Sequence, residues 1–193
     1  MIGWFQGRME FGPRALGNRS IIGDARSPDM QKKLNIKVKF RESFRPFAPS
    51  VLYEDLSEWF DLQDESPYML MVTNIANSKL IKNSLEDDFT RGLEKLKIIR
   101  SEIPAVTHVD NSARVQTVTK KNGIYYELIK RFKDKTGCPV IVNTSFNVRG
   151  EPPVNTPLDA YKCFMLTDLD LLVIGNYMLK KDDQIKFRLE SNE

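Results

Sequence analysis

Histidine and cysteine are scarce in this 193-residue chain, which holds one histidine, His108, and two cysteines, Cys138 and Cys163. So small a set supports neither a His/Cys metal cluster nor a disulfide framework. A lone histidine in a strand is, more often than not, a packed or capping residue. The chain also lacks a G-x-x-x-x-G-K-[ST] phosphate loop, a G-x-G-x-x-G turn after a strand, an H-E-x-x-H helix and a G-x-S-x-G elbow. Serine-hydrolase and metalloenzyme readings therefore lack the partners they need. No apolar run approaches the ~20 residues that span a bilayer. The absence of a signal peptide, together with so little cysteine, predicts a reducing, cytoplasmic setting. Met1 enters an apolar, strand-like run at once, from which we expect a fragment of a longer protein, with residues 1–193 forming one domain.

What is present is an ordinary globular composition, 41% hydrophobic and 10% aromatic. Lys plus Arg number 29 against 26 acidic residues, a net charge of +3 that does not predict nucleic-acid binding. The distribution says more. Residues 1–50 carry ten Lys/Arg against four Asp/Glu, residues 51–102 six against eleven, and residues 103–151 eight against four. Two basic segments around an acidic one predict a local anion site.

Strands and helices intermix, which predicts an α/β (α+β) fold around one twisted mixed sheet. Strands are expected at 2–5, 21–23, 50–52, 68–72 (buried), 105–109 paired with 113–118, 139–142, 171–174 and 176–180. Helices are expected from a Ser27 N-cap to about Asn35, with Met30 and Leu34 inward, and over 53–60. Others run from a Ser84 N-cap to about Arg100, over 125–135 closed by Gly137, and from Thr156-Pro157 to about Leu166. Residues 74–83 and 143–153 read as loops, and the tail after Asp182 as frayed. Residues 37–50, K-V-K-F-R-E-S-F-R-P-F-A-P-S, read as a strand with Lys37, Lys39, Arg41 and Ser43 on one face and Val38, Phe40 and Phe44 on the other.

The chemistry available is that of Arg, Lys, Ser, Asn and backbone N–H groups, which suits phosphate. Arginine offers a planar fork and lysine a mobile point charge. Three loops supply them: Arg14 to Arg19 after Gly12-Pro13; Lys39, Arg41 and Arg45; and N-T-S-F-N-V-R-G from Asn143 to Gly150, directly after a strand, where open α/β sheets place ligands. Arg114 is a fourth candidate. The three loops are punctuated by Gly or Pro, where backbone can approach a ligand.

Four stretches, G-W-F-Q-G-R-M-E-F-G-P-R-A-L-G-N-R-S-I-I-G-D-A-R, K-F-R-E-S-F-R-P-F-A-P-S, P-A-V-T-H-V-D-N-S-A-R-V-Q-T-V and V-N-T-S-F-N-V-R-G-E-P, closely resemble the carbamoyltransferase C-terminal domain. This is the family of nodulation protein NodU and the cephalosporin and tobramycin carbamoyltransferases. The resemblance implies a YrdC-like fold, with its K-x-R as Lys39-Phe40-Arg41 and its S-x-N as Ser145-Phe146-Asn147. It implies binding of ATP and carbamoyl phosphate, with Mg²⁺ carried by the triphosphate, and formation of carbamoyl adenylate and pyrophosphate. The carbamoyl group would then pass to an acceptor in an N-terminal, metal-containing Kae-like domain of the same protein. Arg14, Arg45 and Arg114 would clamp phosphate oxygens, and Lys39 and Arg41 would offset charge at the α-phosphate. Ser145 and Asn147 would fix the carbamoyl group or triphosphate, beside Thr144. A nucleic-acid-binding module and a domain that only docks on its partner are the competing classes. Residues 77–100 match none of these motifs.

Overall fold

The computed structural model of the chain describes residues 1–82 and 90–184. Among them, eight strands form one open, mixed sheet and four helices pack on it. In chain order the elements are β1 (Ile2–Phe5), β2 (Arg19–Asp24), α1 (Met30–Lys37), β3 (Ala48–Leu52), α2 (Leu56–Trp59), β4 (Met71–Asn74), β5 (Ser112–Val118), α3 (Ile124–Thr136), β6 (Val140–Ser145), α4 (Pro157–Leu166), β7 (Leu171–Ile174) and β8 (Tyr177–Lys180). The sheet order is β4-β5-β3-β6-β2-β1-β7-β8. The β3–β5 and β1–β7 pairs are parallel and the rest antiparallel.

Side-chain alternation splits the sheet into two faces. Ile21, Val51, Val140, Val142 and Leu172 point one way, into a core with Leu34 of α1 and Phe164 of α4. Trp4, Ile22, Leu52, Val118 and Ile141 point the other way, against Tyr125, Tyr126 and Ile129 of α3. Fully burying an aliphatic side chain such as Ile129 contributes roughly 1.5–3 kcal/mol. On β1, Gly3 lies so close to Phe146 that a Cβ there would stand 2.6 Å from the ring.

Helix ends follow local chemistry where the sequence shows it. Gly137 closes α3 at φ +77°, a conformation glycine adopts without penalty. Thr156 opens α4 with a reciprocal capping box to Asp159, and Pro157 fills the first turn.

Four expectations change. Ser27 does not cap α1: its carbonyl closes a turn with Met30 N–H, and Asp29 stands at the cap without a side-chain bond. Residues 68–72 are not a buried strand. β4 is the sheet edge, and Tyr68, Leu70, Met71 and Val72 are exposed, while Met69 turns inward at φ +56°. Residues 105–109 form no hairpin with β5. Pro104 opens a short 3-10 turn, Ala105 N–H bonds the Ala25 carbonyl, and β5 pairs with β3 and β4. Of the helix expected over 84–100, residues 83–89 lie outside the described residues, and Gly92–Lys97 is a 3-10 segment that starts at φ +63°. The tail expected to fray lies outside them from residue 185 onward.

The topology gathers one end of the sheet for a purpose. The starts of β2, β3 and β5 and the ends of β1, β6 and β7 all lie there. Every loop that the sequence marks as phosphate-suited leaves from or arrives at this end.

Candidate anion-binding site

Residues 38–47 are not the strand that alternation suggests. Lys37 ends α1, Phe40 turns the backbone at φ +47°, and Val38 and Lys39 are both buried while Phe40 and Phe44 are exposed. The backbone partner is a side chain: buried Asn35 donates through Nδ2 to the carbonyls of Ser43 (3.0 Å) and Arg45 (2.8 Å). The same Asn35 accepts from Arg41 Nε at 2.7 Å, and the Arg41 guanidinium lies 5.1 Å from the Phe47 ring. Asn35 was not legible as a site residue, since a polar residue beside Leu34 on a short helix gives no signal of its own.

This loop turns Lys39 inward onto the end of β6. Its ammonium donates to Asn147 Oδ1 (2.7 Å), the Asn147 carbonyl (3.0 Å) and the Ser145 carbonyl (2.5 Å), with Ser145 Oγ at 3.4 Å. Ser145 Oγ in turn donates to Asn147 Oδ1 at 2.7 Å, and Asn147 Nδ2 donates to the Glu151 carbonyl at 2.6 Å. Phe146, fully buried between them, anchors the turn. Every acceptor of Lys39 is neutral. A buried ammonium without a carboxylate is costly, and burial, with Arg41 adding a like charge, pushes its pKa down to about 7. An anion delivered to this point would relieve both effects.

Arg45 bonds Glu42 at 3.0 Å, and Glu42 reaches Arg149 of the third loop at 3.8 Å, so this carboxylate ties the two loops together. Burial lowers the Arg41 pKa, and Arg45 adds to the effect.

Arg14 and Arg114 carry like charges close enough to influence each other. Arg114, half-buried on β5, has its pKa lowered by burial and then by Arg14. Neither guanidinium makes a hydrogen bond or ion pair among the described residues. Burial lowers the pKa of His108, Asp110 opposes the shift and the charge of Arg114 adds to it. The His108 Nδ1 lies 3.0 Å from Ser112 Oγ, which donates to Asp110 at 2.6 Å.

The structure thus brings Lys39, Ser145 and Asn147 together, seats Arg41 and Arg45 in the same loop, and leaves Arg14 and Arg114 within electrostatic influence of each other. Thr144 stands apart from the Lys39 cluster. Alternation places it opposite Ile21, away from the Ser145 face, with no side-chain bond to that cluster. Arg19, expected among the phosphate-suited groups of the first loop, is instead spent within it: its buried guanidinium donates to the Gln6, Asn18 and Gly7 carbonyls and stacks 3.5 Å from the Phe5 ring. Glu10, with no motif signal of its own, accepts from the N–H groups of Leu16, Asn18 and Arg19.

Residues 1–181 match the family model described as carbamoyltransferase C-terminus. The chain is 57% identical over 185 residues to an uncharacterized protein of Synechocystis sp., covering 95% of this chain and 30% of that protein. It is 46% identical to nodulation protein NolNO of Sinorhizobium fredii, covering 94% of this chain and 24% of that protein. It is also 37% identical to a 3'-hydroxymethylcephem-O-carbamoyltransferase of Streptomyces clavuligerus, covering 91% of this chain and 30% of that enzyme. The chain therefore spans about a third or less of the length of these relatives. With the family model matched along nearly its whole length, the chain belongs to the carbamoyltransferase C-terminus family.

Proposed function

We propose that the chain is the carbamoyl-activating part of an O-carbamoyltransferase, binding ATP and carbamoyl phosphate and producing carbamoyl adenylate. The observation that carries this reading is the Lys39 ammonium, buried without a carboxylate and aimed at Ser145 and Asn147. The printed activity of the cephem relative, O-carbamoyl transfer, supports it.

In this reading water hydrolyses carbamoyl phosphate, its oxygen entering the carbamate as the bond to phosphate breaks and inorganic phosphate leaves. A carbamate oxygen then attacks the α-phosphorus of ATP, and the bond to the β-phosphate oxygen breaks, releasing pyrophosphate. Lys39 and Arg41 lower the barrier by facing the charge that builds at the α-phosphate, a task of position and electrostatics. Arg14, Arg45 and Arg114 hold phosphate oxygens. The Arg14–Arg114 pair fits that role because two like charges that influence each other both gain from a shared anion. Ser145 and Asn147 orient the carbamoyl amide. Among the described residues no group of three or more His, Cys, Asp or Glu could hold a metal ion. Mg²⁺ is assigned to the triphosphate, where it would neutralise phosphate charge. The acceptor and its contacts belong to the N-terminal part of the longer protein.

The test incubates the chain with ATP, Mg²⁺ and carbamoyl phosphate and measures pyrophosphate release and carbamoyl adenylate. Product that requires all three supports the reading. No product and no binding of either ligand sinks it, and binding whose salt dependence demands many released counterions points to a polynucleotide instead.

A further inference from the structure

We propose that Gln116 and Asn143 are positioning residues for Arg14, fixing where the arginine of the first loop stands relative to Arg114. The inference rests on the reading of Arg14 as a phosphate ligand.

Three successive carbonyls just after Arg14 are held by side chains from three strands. Asn143 Nδ2 of β6 donates to the Ala15 carbonyl at 3.0 Å, and Gln116 Nε2 of β5 to the Leu16 carbonyl at 2.9 Å. Trp4 Nε1 of β1 donates to the Gly17 carbonyl at 2.8 Å. Gln116 and Asn143 are fully buried. Their orientation is determined by donors behind them. The Tyr125 hydroxyl donates to Ser50 Oγ (2.9 Å), which donates to Gln116 Oε1 (2.5 Å), and Asn143 Nδ2 donates to the same oxygen (2.8 Å). With Oε1 filled by two donors, the Gln116 amide has one useful orientation, N–H toward Leu16. At Gly17 the fit is closed further, because a Cβ there would lie 2.5 Å from the Tyr125 ring.

A surface loop needs no such support from the sheet, and burying two amides carries a desolvation cost. Gln116 lies two residues from Arg114 on β5, and alternation puts both on one face, so the pinned loop stands over the strand that carries Arg114. Two guanidiniums repel, so a free loop would carry Arg14 away from β5. Pinning the adjacent carbonyls keeps the pair together before any anion arrives, which is preorganisation of the kind that strengthens ligand binding.

The experiment titrates the chain with Mg·ATP and with carbamoyl phosphate by calorimetry, with thermal unfolding alongside. Gln116→Met, Asn143→Leu and the gentler Trp4→Phe are each made alone and with Arg14→Ala, and Ile129→Val serves as a destabilised control. The expected result is a loss of affinity of roughly tenfold or more for Arg14→Ala, the scale of one charge-assisted hydrogen bond. A comparable loss is expected for Gln116→Met, with no further loss in the Arg14→Ala background, while Ile129→Val lowers stability and leaves affinity intact. Gln116→Met, Asn143→Leu and Trp4→Phe all binding like wild type, or losses that add fully to that of Arg14→Ala, would overturn the proposal. If Gln116→Met fails to fold, Trp4→Phe decides on the same criteria. Wild type that binds neither ligand defeats the functional reading itself, whereas wild type that binds with Arg14→Ala indifferent defeats this inference alone.

Discussion

Lys39 and Asn147 stand 108 residues apart in the chain, and their side chains meet at 2.7 Å. The contact joins the loop before β3 to the loop after β6, neighbouring strands in the sheet. Replacing the lysine should separate function from fold. Lys39→Met is expected to abolish detectable carbamoyl adenylate formation, with loss of a well-placed electrostatic group worth roughly 10²–10³ in rate. Stability should change little, because the substitution also removes a buried charge. Pyrophosphate release and thermal unfolding read the two effects, and undiminished product would refute the role given to Lys39.

The same lysine predicts a pH dependence. Its folded pKa is lowered from 10.5 to about 7. Between these values the unfolded chain binds more protons than the fold, so this group makes stability rise with pH across that window. Below about 7 both states are protonated, and the cost of the buried charge is fully present. Anion affinity should move oppositely, weakening as pH rises through and beyond that range while ammonium is lost. Unfolding and Mg·ATP titrations across the window should show opposite slopes, and Lys39→Met should remove this contribution from each.

Arg14→Ala removes a like charge that lowers the Arg114 pKa. The ligand-free chain is expected to keep or slightly raise its melting temperature while binding of carbamoyl phosphate or Mg·ATP weakens. A clear fall in melting temperature would mean that Arg14 is a structural strut.

Leu70 is 69% exposed on the edge strand region. Leu70→Lys should cost no more than about 0.5 kcal/mol, as surface changes do, and should reduce self-association through the open edge. A buried position would lose about 2–5 kcal/mol for comparable loss of apolar contact. Urea unfolding and sedimentation distinguish these outcomes.

Thr156→Ala removes the cap of α4. A loss of about 1 kcal/mol is expected, with ligand affinity unchanged, because the Thr156 hydroxyl accepts from Asp159 N–H within α4 and not from the Lys39 cluster.

Much of the sheet and two of its helices could be read from local signals. Gly137 and the Thr156-Pro157 pair write the ends of α3 and α4 into the chain, and short apolar runs mark β1, β6 and β7. The pairing of Lys39 with Ser145 and Asn147 was legible through motif resemblance and is now supported by distance. What failed depends on tertiary surroundings. The run Tyr68-Met69-Leu70-Met71-Val72 shows that a strand could be buried there, but its place at the sheet edge is set by β5 finding β3 on its other side. Residues 38–47 alternate in charge, yet Asn35 captures their carbonyls and Phe40 turns left-handed, and no two-residue period encodes either event. Gln116 carries no signal of its own in the sequence, and Asn143 reads only as the start of the third loop, since buried amides acquire meaning once the loop above them is in view.

Phe146 fills the space over Gly3 and sits between the two residues that receive Lys39. A methyl group added at Gly3 would push that ring and shift Ser145 and Asn147 with it. In a screen of random variants, damage at Gly3 would therefore register as lost ligand binding from a residue with no polar atom to offer. Genetic hits on β1 would mark the tolerance limits of a pocket formed more than a hundred residues downstream.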